Sequence, residues 1–321
     1  MAMSVSMITG GAGFIGSNLA RVLLEQGRRL LLIDDLSLGL RDALPLAQND
    51  GRLLFRQLDC ADADALGRAV ADAGVVVDEV WHLAANSDIP AGVNDPAVDL
   101  QRTFLTTYGV LKFMRRFGVP TLRFASSSAI YGDHAGGKLT ETTGPWEPVS
   151  NYGAMKLASE AQIRAAVEAW LPRADIFRFP NVVGVPATHG VILDLVRKLG
   201  QTPNVLDVLG DGTQCKPYLY VDDLIAAMLH IAAQTGRYQV FNIGPTDPGA
   251  TVRQIAEAVR DHVAPAAEIR YGAGSKGWVG DVGHVCYDTD RLASTGWSAS
   301  RTSLEAVRQA VVDIAAQEAR R

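Results

Sequence analysis

The sequence predicts an α/β protein in which a doubly wound parallel sheet is followed by a smaller C-terminal α/β subdomain, and three observations predict it. Short apolar runs alternate through the first half with amphipathic stretches whose apolar residues recur at three and four. A glycine-rich turn, Thr9-Gly10-Gly11-Ala12-Gly13-Phe14-Ile15-Gly16, stands between the first such run and the first such stretch. After roughly Asn181 the alternation gives way to shorter elements separated by Gly/Pro-rich loops.

In chain order the strand-like runs are Val5–Thr9, Arg29–Asp34, Leu53–Leu58, Glu79–Leu83, Thr121–Ser126 and Asp175–Phe179. Helix-like segments lie near Phe14–Gln26, Asp62–Ala73, Pro96–Phe117 and Asn151–Trp170. Six parallel strands with helices on both faces make a Rossmann sheet, so residues 1–180 read as a Rossmann domain and 181–321 as a substrate-binding subdomain, with some segments exchanged. The loops VGVPATHG, VLGDGTQCKP, NIGPTDPG and YGAGSKGWVGD punctuate the second part. The tail AAQEARR reads as a frayed helix end.

Composition narrows the classes of function. A chain of 321 residues, 48% hydrophobic and 20% charged, has the makings of an ordinary folded core. The net charge of -5 disfavours a nucleic-acid partner, which a basic surface would attract. The three cysteines, Cys60, Cys215 and Cys286, are far apart and odd in number, which fits a reducing compartment. The N-terminal stretch lacks a basic segment followed by an apolar one, and no apolar run approaches the roughly 18 residues that cross a bilayer, so the expectation is a cytoplasmic protein without a membrane. The six histidines show no ligand spacing, so no metal is expected.

The glycines of the turn have separate physical tasks: a tight bend, close approach of backbone to a pyrophosphate, and close packing of helix on sheet. The helix that follows points free N–H groups at the phosphates. About twenty residues on, the second strand ends in Asp34, whose carboxylate can accept hydrogen bonds from the adenosine ribose and repels a 2′-phosphate, so NAD is the expected cofactor. Asp35, Leu36 and Ser37 follow it, with no arginine. Asp59 either caps the next helix or contacts the adenine. His82-Leu83-Ala84-Ala85 closes the fourth strand with small residues, as a backbone lying against a cofactor requires; His82 itself reads at least as well as a core histidine. The expected cofactor set is Gly10, Gly13, Phe14, Ile15, Gly16, Asp34, Asp35, Ser37, Asp59, Cys60, Leu83, Ala84, Ala85, Tyr152 and Lys156.

Tyr152 and Lys156 are four residues apart in a helical stretch, hence on one face. A free phenol, pKa about 10, is about one part in a thousand ionised at pH 7. An ammonium about 4 Å away at an effective dielectric of about 20 supplies roughly 4 kcal/mol, enough to make it a base. Ser126-Ser127-Ser128 closes a strand, where a parallel sheet opens onto its ligand crevice and a hydroxyl can meet Tyr152 over one substrate oxygen.

TGGAGFIG, Asp34, HLAA, SSSAIYG, YGAMK and RFPNVVG stand in an order and spacing that resemble the extended short-chain dehydrogenase/reductases, the nucleotide-sugar epimerase and dehydratase family, across essentially the whole chain. The resemblance implies that Ser127, four residues before Tyr131 of the Tyr131-Gly132 pair, is the catalytic hydroxyl beside Tyr152 and Lys156. It implies further that Lys156 binds the nicotinamide ribose, that Asn181 lies near the substrate phosphates, and that a homodimer forms through Pro96–Phe117 and Asn151–Trp170. Family dehydratases carry Asp-Glu after the catalytic residue; here Ser128 and Ala129 follow, which favours 4-epimerisation over dehydration.

The segment GDGTQCKPYLYVDD resembles the family's nucleotide-binding loop, with Lys216 where an arginine usually faces the diphosphate, a change that keeps the charge but loses the bidentate fork. Trp278 and Val279 precede Gly280-Asp281, with Lys276 nearby, where the family usually places a second arginine. The expected substrate set is Asn86, Ser127, Ser128, Asn181, His189, Val191, Lys216, Tyr218, Trp278 and Asp281. Trp278 fits equally a stacking face and a core filler, and His189 fits an exposed or capping role better than a ligand. The resulting expectation is an NAD-dependent C4 epimerase of a nucleotide-diphosphate sugar, a UDP-sugar by preference. Its rivals are a dehydratase, a net oxidoreductase or keto-sugar reductase, and a non-catalytic NAD-binding regulatory protein.

Overall fold

Leucine- and valine-rich runs form the strands of a seven-stranded sheet in the computed structural model, which describes residues 3–45, 51–134, 137–274 and 286–320. The strands are β1 (Met3–Thr9), β2 (Leu30–Asp34), β3 (Leu53–Gln57), β4 (Val75–His82), β5 (Thr121–Ala125), β6 (Arg173–Arg178) and β7 (Tyr238–Asn242). Their order across the sheet is β3-β2-β1-β4-β5-β6-β7. The pairs β1/β2, β1/β4, β2/β3, β4/β5 and β5/β6 are parallel. Chain direction across the sheet therefore reverses between β1 and β4, the place where an open α/β sheet leaves a crevice at its strand ends.

Each central strand is a continuous apolar run because helices cover both of its faces; β2 is buried along its whole length. Helix α1 (Phe14–Glu25) lays Leu19, Ala20, Leu23 and Leu24 on the sheet. Helix α2 (Ala63–Ala73) starts where the Asp62 carboxylate accepts from the amides of Asp64 and Ala65, so Asp62, not Asp59, is its cap. Helices α3 (Thr106–Phe117) and α4 (Asn151–Ala169) complete the layer, and Phe113, Met114, Ile163 and Val167 join Val80, Leu122, Phe124 and Ile176 in one core.

The chain folds into two units, each assembled from more than one stretch of sequence. The first comprises residues 1–130, 148–178 and 229–240 and contains this sheet apart from the last two residues of β7; the second comprises 131–147, 179–228 and 241–321. In the second unit short strands pair two by two: Asn181–Val183 with Tyr218–Tyr220, Val205–Val208 with Glu268–Tyr271, Cys215–Lys216 with Ala250–Thr251, and Lys138–Leu139 with Cys286–Tyr287. Helices Val191–Gln201, Val252–Val263 and Ser303–Glu318 pack on one another beside them.

Three expectations change. The sheet has a seventh strand, Tyr238–Asn242, in the stretch read as irregular. The segment 96–117 is not one α-helix: Pro96–Asp99 is followed by a π-helical turn, Leu100–Leu105, before α3. Nor is the last helix frayed before Glu318, where it ends: the Gln317 amide exchanges two hydrogen bonds with the Ala187 backbone (2.8 and 2.9 Å), and Glu318 pairs with Arg197 at 2.7 Å.

Candidate active site

Gly10, with φ of 71°, turns the chain out of β1 into a conformation that only glycine holds without strain. A Cβ at Gly10 would stand 2.7 Å from the Ala84 amide nitrogen, and one at Gly16 would collide with the Gly10 carbonyl. The turn therefore lies directly against the segment leaving β4, the two flanks of the reversal in the sheet. At the start of α1 the cap residue Gly13 offers no side-chain hydrogen bond and no acid stands in the first turn. This is the cradle a pyrophosphate fits: bare helix amides and glycines that let an anion approach.

Asp34 closes β2 with its carboxylate buried. Oδ2 accepts from the Ala12 amide at 2.9 Å and Oδ1 from the Leu36 amide at 2.8 Å. Leu36 is held at a φ of 62°, which that second bond helps to fix. Burial pushes the Asp34 carboxyl above its usual range while the Leu36 and Ala12 amides draw it back. Each carboxylate oxygen retains a second acceptor site, so Asp34 braces the glycine turn and keeps capacity for a ribose hydroxyl. Asp35 and Ser37 are exposed, joined by a bond from the Ser37 amide to Asp35 Oδ1. Asp59 accepts from the Ala61 amide, and Cys60 turns its thiol into the core, where burial first and the charges of Asp59 and Asp35 next push it up.

His82 is a core histidine. Its Nδ1 lies 2.7 Å from Thr9 Oγ1 and its Nε2 3.1 Å from Thr107 Oγ1, and burial, then the charge of Lys156, pushes its pKa down to about 3. Asn86 is one of the residues expected at the substrate. Its side chain, 1% exposed, donates both amide hydrogens within its surroundings, to Asp88 O and Asp99 Oδ1 at 2.8 Å each, and accepts from the Asp88 amide. It organises its own loop.

Ser127 and Ser128 begin where β5 ends, and α4 carries Tyr152 and Lys156 to the same place. Ser150 caps α4, accepting from the Gly153 amide, and a Cβ at Gly153 would collide with the Ala129 carbonyl, so α4 starts in close contact with the chain just after Ser127. Ser127 Oγ accepts from the Ala129 amide at 3.1 Å and lies near enough to the Tyr152 phenol to lower its pKa. Lys156 is 2% exposed; its Nζ donates to the Ala125 carbonyl at 2.6 Å and sits 5.8 Å from the Tyr152 ring centroid.

The electrostatics of the pair differ from the expectation. Burial pushes the Tyr152 phenol up to about 12, the Ser127 hydroxyl pulls it down, and the Asp99 charge raises it further. Lys156 is itself pushed down to about 7 by burial, against Glu160 and Asp99, which favour its charge. An ammonium that is hard to keep charged and is already given to a carbonyl does not by itself acidify the phenol.

In the second unit, Asn181 and Tyr218 are register partners in one short pairing, and Lys216 lies two residues before Tyr218. Asn181 is exposed, whereas Tyr218 is buried. His189 is exposed and Gly190, not His189, caps the helix that Val191 opens. Trp278 and Asp281 lie outside the described residues. Among the described residues there is no cluster of three or more His, Cys, Asp or Glu that could hold a metal, and no helix is long and apolar enough to cross a membrane.

Ser126 is fully buried and donates to Glu160. Glu160 and Asp99 were not singled out from the sequence. Glu160 stands four residues after Lys156, a spacing that could have drawn attention to it.

The sequence profile of the NAD dependent epimerase/dehydratase family matches residues 6–244. The chain is 29% identical to UDP-glucose 4-epimerase of Corynebacterium glutamicum, over 94% of this chain and 92% of that protein. Among solved structures it is similar to UDP-glucose 4-epimerase of Thermotoga maritima with UDP-glucose, at a TM-score of 0.86, 27% identity and coverage of 99% of this chain and 100% of that one. It is likewise similar to the Thermus thermophilus UDP-glucose 4-epimerase complex with NAD, at a TM-score of 0.84, 27% identity and coverage of 97% and 99%.

Proposed function

The chain belongs to the NAD dependent epimerase/dehydratase family, and from that premise we propose that it interconverts nucleotide-diphosphate sugars, UDP-sugars by preference, at C4 through a transient 4-keto sugar, with NAD as cofactor. One observation carries the reading: α4 brings Tyr152 beside Ser127, just past the end of β5, with Lys156 one helical turn along and bound to the Ala125 carbonyl. A chain that only bound the dinucleotide would have no use for it. Ser128 and Ala129, where a dehydratase needs an acid and a base, favour epimerisation.

Gly10, Gly13, Gly16 and the amides opening α1 would hold the pyrophosphate, Asp34 the adenosine ribose, and Lys156 the nicotinamide ribose. When bound, the oxidised dinucleotide supplies a hydride acceptor whose ring is positively charged. Tyr152 takes the proton of the sugar 4-hydroxyl as the C4 hydride leaves, and returns it when the ketone, turned about the diphosphate link, is reduced on its other face. Lowering the phenol from about 12 to near 7 requires about 7 kcal/mol, at roughly 1.4 kcal/mol per pK unit. Ser127 contributes to this through its hydroxyl, and Lys156 contributes while protonated, a state that Glu160 and Asp99 favour. Substrate recognition is assigned to the part of the chain after residue 181, with Asn181 and Lys216 at the diphosphate.

The same reading makes the enzyme a cytoplasmic homodimer joined through the segment 96–117 and α4. Exposed Leu100, Leu105, Tyr108 and Phe117 support that choice of face.

The test is to incubate purified protein with UDP-, GDP-, CDP- and dTDP-sugars in deuterated water and follow the products by NMR. Inversion at C4 of a UDP-sugar without solvent deuterium or net NADH is expected. Deuterium beside the carbonyl, or stoichiometric NADH, would replace the epimerase with a dehydratase or a net oxidoreductase.

A further inference from the structure

We propose that Glu160, together with Ser126 and Arg178, is a positioning residue for this reaction, holding the Ser127 hydroxyl in register with the Tyr152 phenol; the inference rests on the function proposed above. Tyr152, Lys156 and Glu160 succeed one another every four residues on α4, and so share a face. Two side chains of that face reach the end of β5. Lys156 Nζ donates to the Ala125 carbonyl at 2.6 Å, and Ser126 Oγ donates to Glu160 Oε1. Their partners are the two residues immediately before Ser127. The same helix that presents the phenol therefore grips the strand that presents the hydroxyl, at consecutive residues.

The grip is anchored from a third element. Arg178, the last residue of β6, meets the Glu160 carboxylate in a fork, with Nε to Oε1 at 3.0 Å and Nη2 to Oε2 at 2.6 Å. The Ser126 amide donates to the Phe177 carbonyl at 2.7 Å, so β5 and β6 stay paired up to that point. Ser126, Glu160 and Arg178 are exposed by 0%, 3% and 2%. Burying an ion pair gains little stability over a well-packed apolar substitute, because desolvation offsets the attraction. Its value lies in direction: the planar fork fixes the carboxylate, and the carboxylate fixes Ser126. A displacement of about 1 Å between reacting groups costs on the order of a hundredfold in rate, so a clamp one residue from Ser127 bears on turnover more than on binding.

The experiment uses Ser126→Ala in the full chain with its cofactor, because this change leaves the Glu160–Arg178 pair in place. Protein labelled with 3-fluorotyrosine gives a fluorine resonance for Tyr152, identified by its disappearance in Tyr152→Phe. Ser126→Ala is expected to shift that resonance and to lower kcat about ten- to a hundredfold, with KM for the UDP-sugar changed by less than about twofold. An unmoved resonance with unchanged kcat overturns the proposal, as does a loss carried wholly by KM. Should the wild type turn over no nucleotide sugar, the proposed function fails while the resonance still decides the clamp: shifted supports it, unmoved overturns it. Ser126→Cys, which nearly keeps the volume and weakens the donor, gives the same reading if the alanine variant does not fold.

Discussion

Tyr152 begins from a phenol that burial raises to about 12, so it is protonated throughout the neutral range until positive charge arrives beside it. On the proposed function its hydroxyl transfers a proton rather than merely packing. Tyr152→Phe should lower kcat by about a hundred- to ten-thousandfold while leaving the bound dinucleotide, measured by release on denaturation, at the wild-type level. Loss of the dinucleotide together with turnover would assign Tyr152 to binding instead. His82 yields a prediction about stability. Its folded pKa of about 3 lies below the unfolded value of about 6.5, so at falling pH the unfolded chain takes up a proton that the native state refuses. The contribution is fully present above pH 6.5 and is lost at roughly 1.4 kcal/mol per unit as pH drops from about 6.5 toward 3. In urea titrations at pH 7 and pH 5, wild type should lose about 2 kcal/mol more than His82→Gln; equal losses would mean that His82 protonates without disturbing the fold.

At the scale of elements, the π turn in the segment 96–117 explains a residue set that periodicity could not. Asp99, Thr103 and Thr107 follow one another every four residues, are all essentially buried, and all serve the chain leaving β4. Asp99 accepts from the Asn86 side chain, Thr103 accepts from the Asn86 amide at 3.1 Å, and Thr107 meets His82. A polar seam facing inward is invisible to a search for apolar recurrence, which is why one helix was expected across the whole segment. The glycine turn and the Tyr152–Lys156 spacing, by contrast, were legible because turn geometry and helix pitch are local properties of the chain. The fit of the seam can be measured at Gly92, where a Cβ would collide with Asp99 Oδ2, an oxygen with no hydrogen-bond partner among the described residues. Gly92→Ala should cost about 1–3 kcal/mol by overpacking, and Asp99→Ala a similar amount by stranding the Asn86 donor. The double variant should be less destabilised than the sum by about 1 kcal/mol or more. Strict additivity in urea melts would place the two residues out of contact.

For the molecule as a whole, legibility follows the range of the interactions. In the second unit Asn242, fully buried, accepts from the Tyr131 hydroxyl and donates to the Leu139 and Asp288 carbonyls, tying together residues far apart in sequence with no spacing to announce it. The proposed assembly poses the same difficulty, since an interface is written as a cluster of exposed apolar side chains. Leu100, Leu105, Tyr108 and Phe117 are exposed by 45%, 37%, 50% and 43% on one segment, next to the buried polar seam that holds the β4 end. A stable dimer covers about 800 Å² on each partner, with apolar area contributing about 25 cal/mol per Å². A glutamate placed inside such a patch would lose its water on pairing, a cost that Lys112, four residues along α3, offsets only in part. Sedimentation velocity should therefore find wild type as a dimer and Tyr108→Glu as a monomer, while Leu209→Glu, at a side chain 72% exposed in the second unit, stays dimeric. A monomeric wild type, or a dimer indifferent to Tyr108→Glu, would move the pairing surface off this segment and leave its apolar face to be covered by something other than a second copy.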